Sequence, residues 1–228
     1  MMTSTRSAAL ALVTTVWGVV ASPRLQTDVV GANQQKCRVD SSAAWFVKQR
    51  VWLDDSKHAW SDDTLRVMLV RAAGMSADAR GAIQLGWQVE GVSASASAGD
   101  SVAIAALRKL AATRGAIWPV KSVSGALGAR AVWVLAQHDT ALARAALKRM
   151  MEAGPEESNA ADVATLEDRL RLQSGRKQIY GTQFRRDAAG VLSLASMEDS
   201  AHVDLRREDA GLPPFRISAC LARSMRAP

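Results

Sequence analysis

Residues 175–184 read GRKQIYGTQF and hold the chain's only tyrosine, Tyr180, between Gln178 and Gln183. A phenol flanked by two carboxamides can both donate to and accept from a polar ligand. Upstream, Gln137, His138 and Asp139 stand in a row, and Asp168 is followed by Arg169. Imidazole is the side chain whose ordinary pKa lies nearest neutrality, so His138 is the candidate general acid or base. Arg169, planar and always charged, can grip a carboxylate or phosphate through two parallel hydrogen bonds. The candidate ligand-binding set is Gln137, Asp139, Asp168, Arg169, Gln178, Tyr180 and Gln183. Each candidate also has a plainer reading. His138 can be a core histidine satisfied by a carbonyl, Asp168 half of an interhelical salt bridge that staples its helix to the next element, and Tyr180 the cap of a buried network. Neighbouring helix residues diverge by ~100°, so Asp168 and Arg169 reach different partners and Asp139 does not orient the His138 ring.

Other chemistries are set aside by the text of the chain. It contains no GxSxG turn, no cysteine with a plausible base, no HExxH and no phosphate-cradling glycine loop. Serine and cysteine nucleophiles, zinc proteolysis and P-loop nucleotide binding therefore have no motif to rest on. His58, His138 and His202 are too scattered to gather a metal, and neither cysteine has a metal-ligand spacing. No metal and no cofactor is expected.

The elements that must position these groups begin after a leader. Residues 1–6 are short and positively charged, residues 7–21 are apolar without one charged residue, and Val19 and Ala21 occupy the small-residue positions a signal peptidase reads. The apolar run, about 15 residues, is shorter than the ~20 a membrane-spanning helix needs. Residues 1–21 thus read as a signal peptide, residues 22–228 as a single domain, and the protein as secreted or periplasmic with no membrane span once the leader is removed. Lys and Arg number 29 against 22 Asp and Glu, a net +7, or +6 without the leader's Arg6. This mild excess is interspersed with acids and lacks a basic stripe interleaved with aromatics, so no specific nucleic-acid binding is expected. Cys37 and Cys220 are either a disulfide tying the two ends of the mature chain or two separate buried thiols; export favours the bridge.

Periodicity gives a helical frame. Residues 41–60, with three tryptophans, read as one amphipathic helix or an irregular entry. Ser61, with a capping hydroxyl, and the acids Asp62 and Asp63 at the positive end of the dipole start a helix with Leu65, Met68, Leu69 and Ala72 inside. A second helix from Ser76 buries Ile83 and Trp87, and GVSASASAGD is a linker. Asp100 or Ser101 caps the next, with Val102, Ala105, Ala106, Leu107 and Leu110 keeping the period. One long helix is expected over 124–151, where Ala131, Leu135, His138, Leu142 and Ala145 share a face and turn His138 inward. Gly154-Pro155 breaks it, Asn159 starts another with Val163, Leu166 and Leu170 inside, and Gly175 caps its end. A β-hairpin is expected over 177–196, turning near 187–190, with Tyr180 and Gln183 on its first strand and Gly181 as a bulge. The fold class is mainly α, a single helical domain with a small C-terminal β-hairpin.

Taken in order, Trp118-Pro119, QHD at 137–139, LEDRL at 166–170, GRKQIYGTQF and VDLRREDAGLPP at 203–214 resemble a family of uncharacterised bacterial proteins marked by QHD, DR, YGTQ and GLPP motifs. The resemblance spans about residues 107–214. It implies bacterial relatives and strengthens the interest of His138, and it carries no established activity. GAIWP stands where the family has a Gly-Trp-Pro turn, and Ala143 and Arg144 stand where it tends to carry a glutamine. A site that used that glutamine is altered here.

Two functions from different classes result. In the preferred one the protein is an exported binding or interaction module with a polar pocket or core around His138, Arg169 and Tyr180, taking a small polar or anionic ligand. In the alternative it is a secreted or periplasmic enzyme in which His138 moves a proton while Arg169, Tyr180 and Gln183 hold the substrate. A shared site requires the Tyr180 hydroxyl and the Gln183 amide to meet His138 around a cavity.

Overall fold

The computed structural model describes residues 37, 40, 42–56, 59–73, 99–113, 117–186 and 192–224. The expected leader, the helix from Ser76, most of the small-residue linker and the hairpin turn at 187–190 lie outside them. Helix α1 (Ala44–Leu53) takes up the middle of the tryptophan-rich entry. Helix α2 (Asp63–Ala72) begins where expected, but its cap is the Asp62 carboxylate, which accepts the Leu65 N–H at 2.8 Å, in place of the Ser61 hydroxyl. Helix α3 (Gly99–Ala112) buries Ala103 and Leu107 and leaves Val102 outside. The expected face is therefore rotated: in a helix so rich in alanine, small side chains suit either face and Val102 alone could not settle the phase.

Helix α4 (Lys121–Ala136) is buried along most of its length and bends at Gly125, whose φ of 69° lies outside helical space. Around it the core assembles from Leu69 of α2, Leu107 of α3, Val132 and Leu135 of α4, and Leu142, Met150 and Leu166 of the next two helices. Those are α5 (Thr140–Ala153) and α6 (Ala160–Gln173). The single helix expected over 124–151 is thus two, and His138 lies exposed in the turn between them instead of facing the core. Asp139 makes the break: its carboxylate accepts the Leu142 N–H at 2.6 Å and begins α5 afresh. Residues 137–139 amount to nearly one helical turn, so the apolar period runs on across the break and conceals it.

Asn159 caps α6 by accepting from the Ala161 and Asp162 N–H groups, and Gly154 ends α5. After α6, strands β1 (Phe184–Arg186) and β2 (Leu192–Leu194) pair antiparallel, with Phe184 opposite Leu194 and Arg186 opposite Leu192. The hairpin is shorter than expected. Tyr180 and Gln183 precede β1 in a loop, and of the earlier residues Gln178 alone makes a bridge, an isolated one to Met197. A 3-10 turn (Ser200–His202), α7 (Val203–Asp209) and α8 (Phe215–Ser224) complete the chain. Cys37 and Cys220 are joined as a disulfide across 183 positions, packed against Ile217. The protein is mainly α-helical with one small C-terminal hairpin, and none of the described helices is long and apolar enough to cross a membrane.

Candidate functional site

The loop over 178–183 wraps around one side chain. Asp168, on α6 and wholly shut from solvent, accepts the backbone N–H groups of Ile179 at 2.7 Å, Tyr180 at 3.1 Å and Thr182 at 3.0 Å, together with the Thr182 hydroxyl at 2.9 Å. Successive N–H groups converging on one point form an anion-binding nest, and here the protein's own carboxylate fills it. The staple expected of Asp168 exists, made of main-chain donors in place of a salt bridge.

The carbonyl side of the same loop is held by α7. Arg206 donates from Nε to the Ile179 carbonyl at 2.9 Å. Arg207, 1% exposed, donates to the carbonyls of Tyr180 and Pro213, each at 2.6 Å, and to the Ser218 hydroxyl of α8, while its plane faces the Phe215 ring. Burial draws the Arg207 pKa down to about 10 against the pull of Asp204 and Asp168. Gly181 sits at φ +67°, where a Cβ would lie 3.0 Å from the Met197 sulfur and 3.1 Å from the Phe215 ring, so the loop passes there only as glycine.

Gln178 closes the loop on itself. Its Nε2 donates to the Gln183 and Ala195 carbonyls, and its Oε1 accepts the Gln183 N–H. The Gln183 amide donates to the Thr165 carbonyl and the Thr182 hydroxyl. Asp168 and Gln178 are thereby spent on holding backbone, and the Gln183 amide nitrogen on Thr165 and Thr182.

Tyr180 is the member with something left over. Its ring rests on Ala161, Ala164, Ala210 and Leu212 and faces a cleft of about 390 Å³ with Met150, Met151 and Val163 on its walls and Arg206 and Asp209 at its rim. The hydroxyl has no hydrogen-bond partner among the described residues, and burial, followed by the nearby carboxylates of Glu167 and Asp168, pushes its pKa up.

The remaining candidates lie elsewhere. Gln137 is buried and donates to the Trp133 carbonyl at 3.4 Å. Asp139 caps α5 and pairs with Arg108 of α3; the Leu142 N–H, then Arg108, hold its carboxyl below the usual range. Arg169 is half-buried with its Nε unpartnered among the described residues, and it does not line the Tyr180 cleft. The cleft opens at the C-terminal end of α5, whereas His138 precedes the N-terminal end of that 14-residue helix, a separation of roughly 20 Å at ~1.5 Å per residue. His138 and Tyr180 are not brought together.

Neither Arg206 nor Arg207 is singled out by the sequence analysis. Their position inside VDLRREDAGLPP, one of the ordered motifs, was the available signal. Among the described residues no three His, Cys, Asp or Glu side chains gather to hold a metal ion.

A helical frame in which the loop leading into the C-terminal hairpin is clamped by Asp168 from one side and by an arginine pair from the other defines the class of protein. The pattern of a family of unknown function, DUF6624, matches residues 76–223, well over half of the chain, and the protein belongs to that family. No curated protein and no solved structure matches it.

Proposed function

We propose that the protein is an exported binding module whose recognition surface is the cleft over Tyr180. One observation carries this reading: the Asp168 carboxylate and both ends of the Gln178 amide are consumed by main-chain partners, while the Tyr180 hydroxyl beside an open cleft is not. Catalytic groups need a free lone pair or proton within reach of a substrate, and Asp168 and the Gln178 amide are taken up by the loop. Apolar walls with a single phenol and a charged rim suit a ligand, or a partner's side chain, with an apolar body and one hydrogen-bonding end. Enzymatic use of His138 together with Tyr180 would call for the two side by side, and they lie at opposite ends of α5. The apolar leader and the disulfide support export.

The test compares Tyr180→Phe and His138→Gln with the unaltered protein in thermal unfolding and in saturation-transfer NMR with hexanol and hexanamide. Tyr180→Phe is expected to unfold at the same temperature and to lose most of the transfer. His138→Gln is expected to change neither. Transfer that survives Tyr180→Phe, or vanishes in His138→Gln, would overturn the assignment.

A further inference from the structure

A second cleft, of about 740 Å³, lies between α1, the segment joining it to α2, and α4. Its size falls within the range of small-molecule sites. Three of its lining side chains meet at the bend in α4: a Cβ on Gly125 would stand 2.9 Å from Asp55 Oδ2, 3.1 Å from the Trp60 ring and 3.2 Å from Arg66 Nε. Those three side chains therefore converge on one point of bare backbone.

What each group still has to give differs. Both oxygens of Asp55 take the Ala126 N–H, at 2.9 and 3.0 Å, and Asp54 takes the Ser56 N–H at 2.9 Å; the Asp55 carboxylate keeps lone pairs beyond those bonds. Arg66 lies flat on Trp60, 4.5 Å from the ring centroid, and the indole N–H is pinned by Asp63 at 3.0 Å. The guanidinium is thereby held in place, yet its buried Nε has no partner among the described residues, and its nearest carboxylate, Asp63, is 3.9 Å away. Arg50, on the lining of the same cleft, makes no hydrogen bond or ion pair among the described residues. Val47 and Val51, one helical turn apart on α1 and both exposed, line the cleft beside Arg50, together with Leu127 of α4.

The lining thus combines two guanidinium groups, two carboxylates and an aliphatic wall. A lone anion would meet Asp54 and Asp55, and a lone cation would meet Arg50 and Arg66; a molecule carrying both charges meets neither penalty. The face of Trp60 is already covered by Arg66, so a cation cannot stack there. We propose that this cleft binds a small apolar amino acid in its zwitterionic form. The carboxylate lies in the Arg66 fork, the ammonium turns to Asp55, and the side chain rests on Val47, Val51 and Leu127.

The test is calorimetric titration of the purified protein with L-leucine and with its two truncated analogues, isocaproate, which lacks the ammonium, and isoamylamine, which lacks the carboxylate. L-Leucine is expected to bind saturably and each analogue at least tenfold more weakly. Arg66→Lys keeps the charge but removes the fork, and should weaken L-leucine at least tenfold with the helical circular dichroism unchanged. The Tyr180→Phe variant should bind L-leucine as the unaltered protein does, which separates this site from the one proposed above. Absence of saturable L-leucine binding, or either analogue binding as tightly as L-leucine, would overturn the proposal. Since the analogue series uses the unaltered protein, it decides the matter even if Arg66→Lys does not fold.

Discussion

Arg130 of α4 and Asp162 of α6 meet at 3.4 Å with only 1% and 2% of their side chains reaching solvent. Arg130 lies over Trp133, and its Nε and Nη1, like Oδ2 of Asp162, have no hydrogen-bond partner among the described residues. Burial outweighs mutual attraction for both: it raises the Asp162 carboxyl to about 6 despite the guanidinium, and lowers Arg130 despite the carboxylate. A buried pair repays its desolvation only when the remaining polar atoms are also satisfied, and these are not. Replacing both together, Arg130→Met with Asp162→Leu, is therefore expected to leave stability unchanged or raise it by about 1–4 kcal/mol. Urea denaturation at neutral pH measures this, and a loss of several kcal/mol would show that the pair holds the core together.

The same pair sets a pH dependence of definite sign. The folded carboxyl titrates at about 6, where an ordinary aspartate has 3.8, so the folded state keeps a proton that the unfolded chain has released. The stability from this group is complete below about pH 4 and is lost as pH rises through about 6. The advantage of the doubly substituted variant over the unaltered protein should accordingly be largest above about pH 6 and shrink towards about pH 4. Urea midpoints for the two proteins across that window would reveal it; a gap that widens on acidification would contradict it.

At the clamp, Asp168→Asn replaces a charged acceptor of three backbone N–H groups with an amide that turns a donor towards some of them. The loss is expected to be about 3 kcal/mol. Thr182→Val, which leaves the carboxylate and removes the hydroxyl with its bonds to Asp168 and from the Gln183 amide, should cost about 1 kcal/mol. Equal effects of the two in chemical denaturation would mean that the carboxylate's charge is not what holds the loop.

Two glycines share an extended positive-φ geometry that side chains avoid, Gly125 (φ 69°, ψ 169°) and Gly154 (φ 83°, ψ 175°). At Gly154 a Cβ would meet nothing within 4 Å, whereas at Gly125 it would meet Asp55 at 2.9 Å. Gly154→Ala should cost about 2 kcal/mol in backbone strain alone. Gly125→Ala should cost a further ~1–3 kcal/mol for displaced neighbours. Thermal melts of the two variants, side by side, check the order.

Removal of the disulfide by Cys220→Ser is expected to lower stability by about 4–5 kcal/mol, since the loop it closes is very long. Urea unfolding with and without reductant should reproduce the same loss in the unaltered protein and none in the variant.

Much of the frame could be read from local chemistry, because caps are short-range signals. Asp62 and Asn159 open their helices and Gly154 ends its helix where the sequence indicates, and the change of period after α6 does mark the hairpin. The turn at 137–139 was hidden because it contains neither glycine nor proline and keeps the apolar phase; its one local sign was Asp139, a capping residue placed just ahead of a helical run. The tertiary roles of charged residues were not legible at all. Arg207 resembles its exposed neighbours in sequence, yet it is buried because carbonyls from Tyr180 and Pro213, 27 and 6 positions away, happen to converge on it. Likewise Gln49 of α1 meets Asn159 through reciprocal amide bonds across 110 positions, and nothing in either segment announces the other.

The bond between Cys37 and Cys220 has one more outcome, concerning breakage of the chain. With the two cysteines joined, everything between them is a covalent ring, and one cut anywhere in the ring opens it without releasing a fragment. Protein nicked once by a protease between those cysteines should therefore migrate as a single species on a non-reducing gel and separate into two only after reduction.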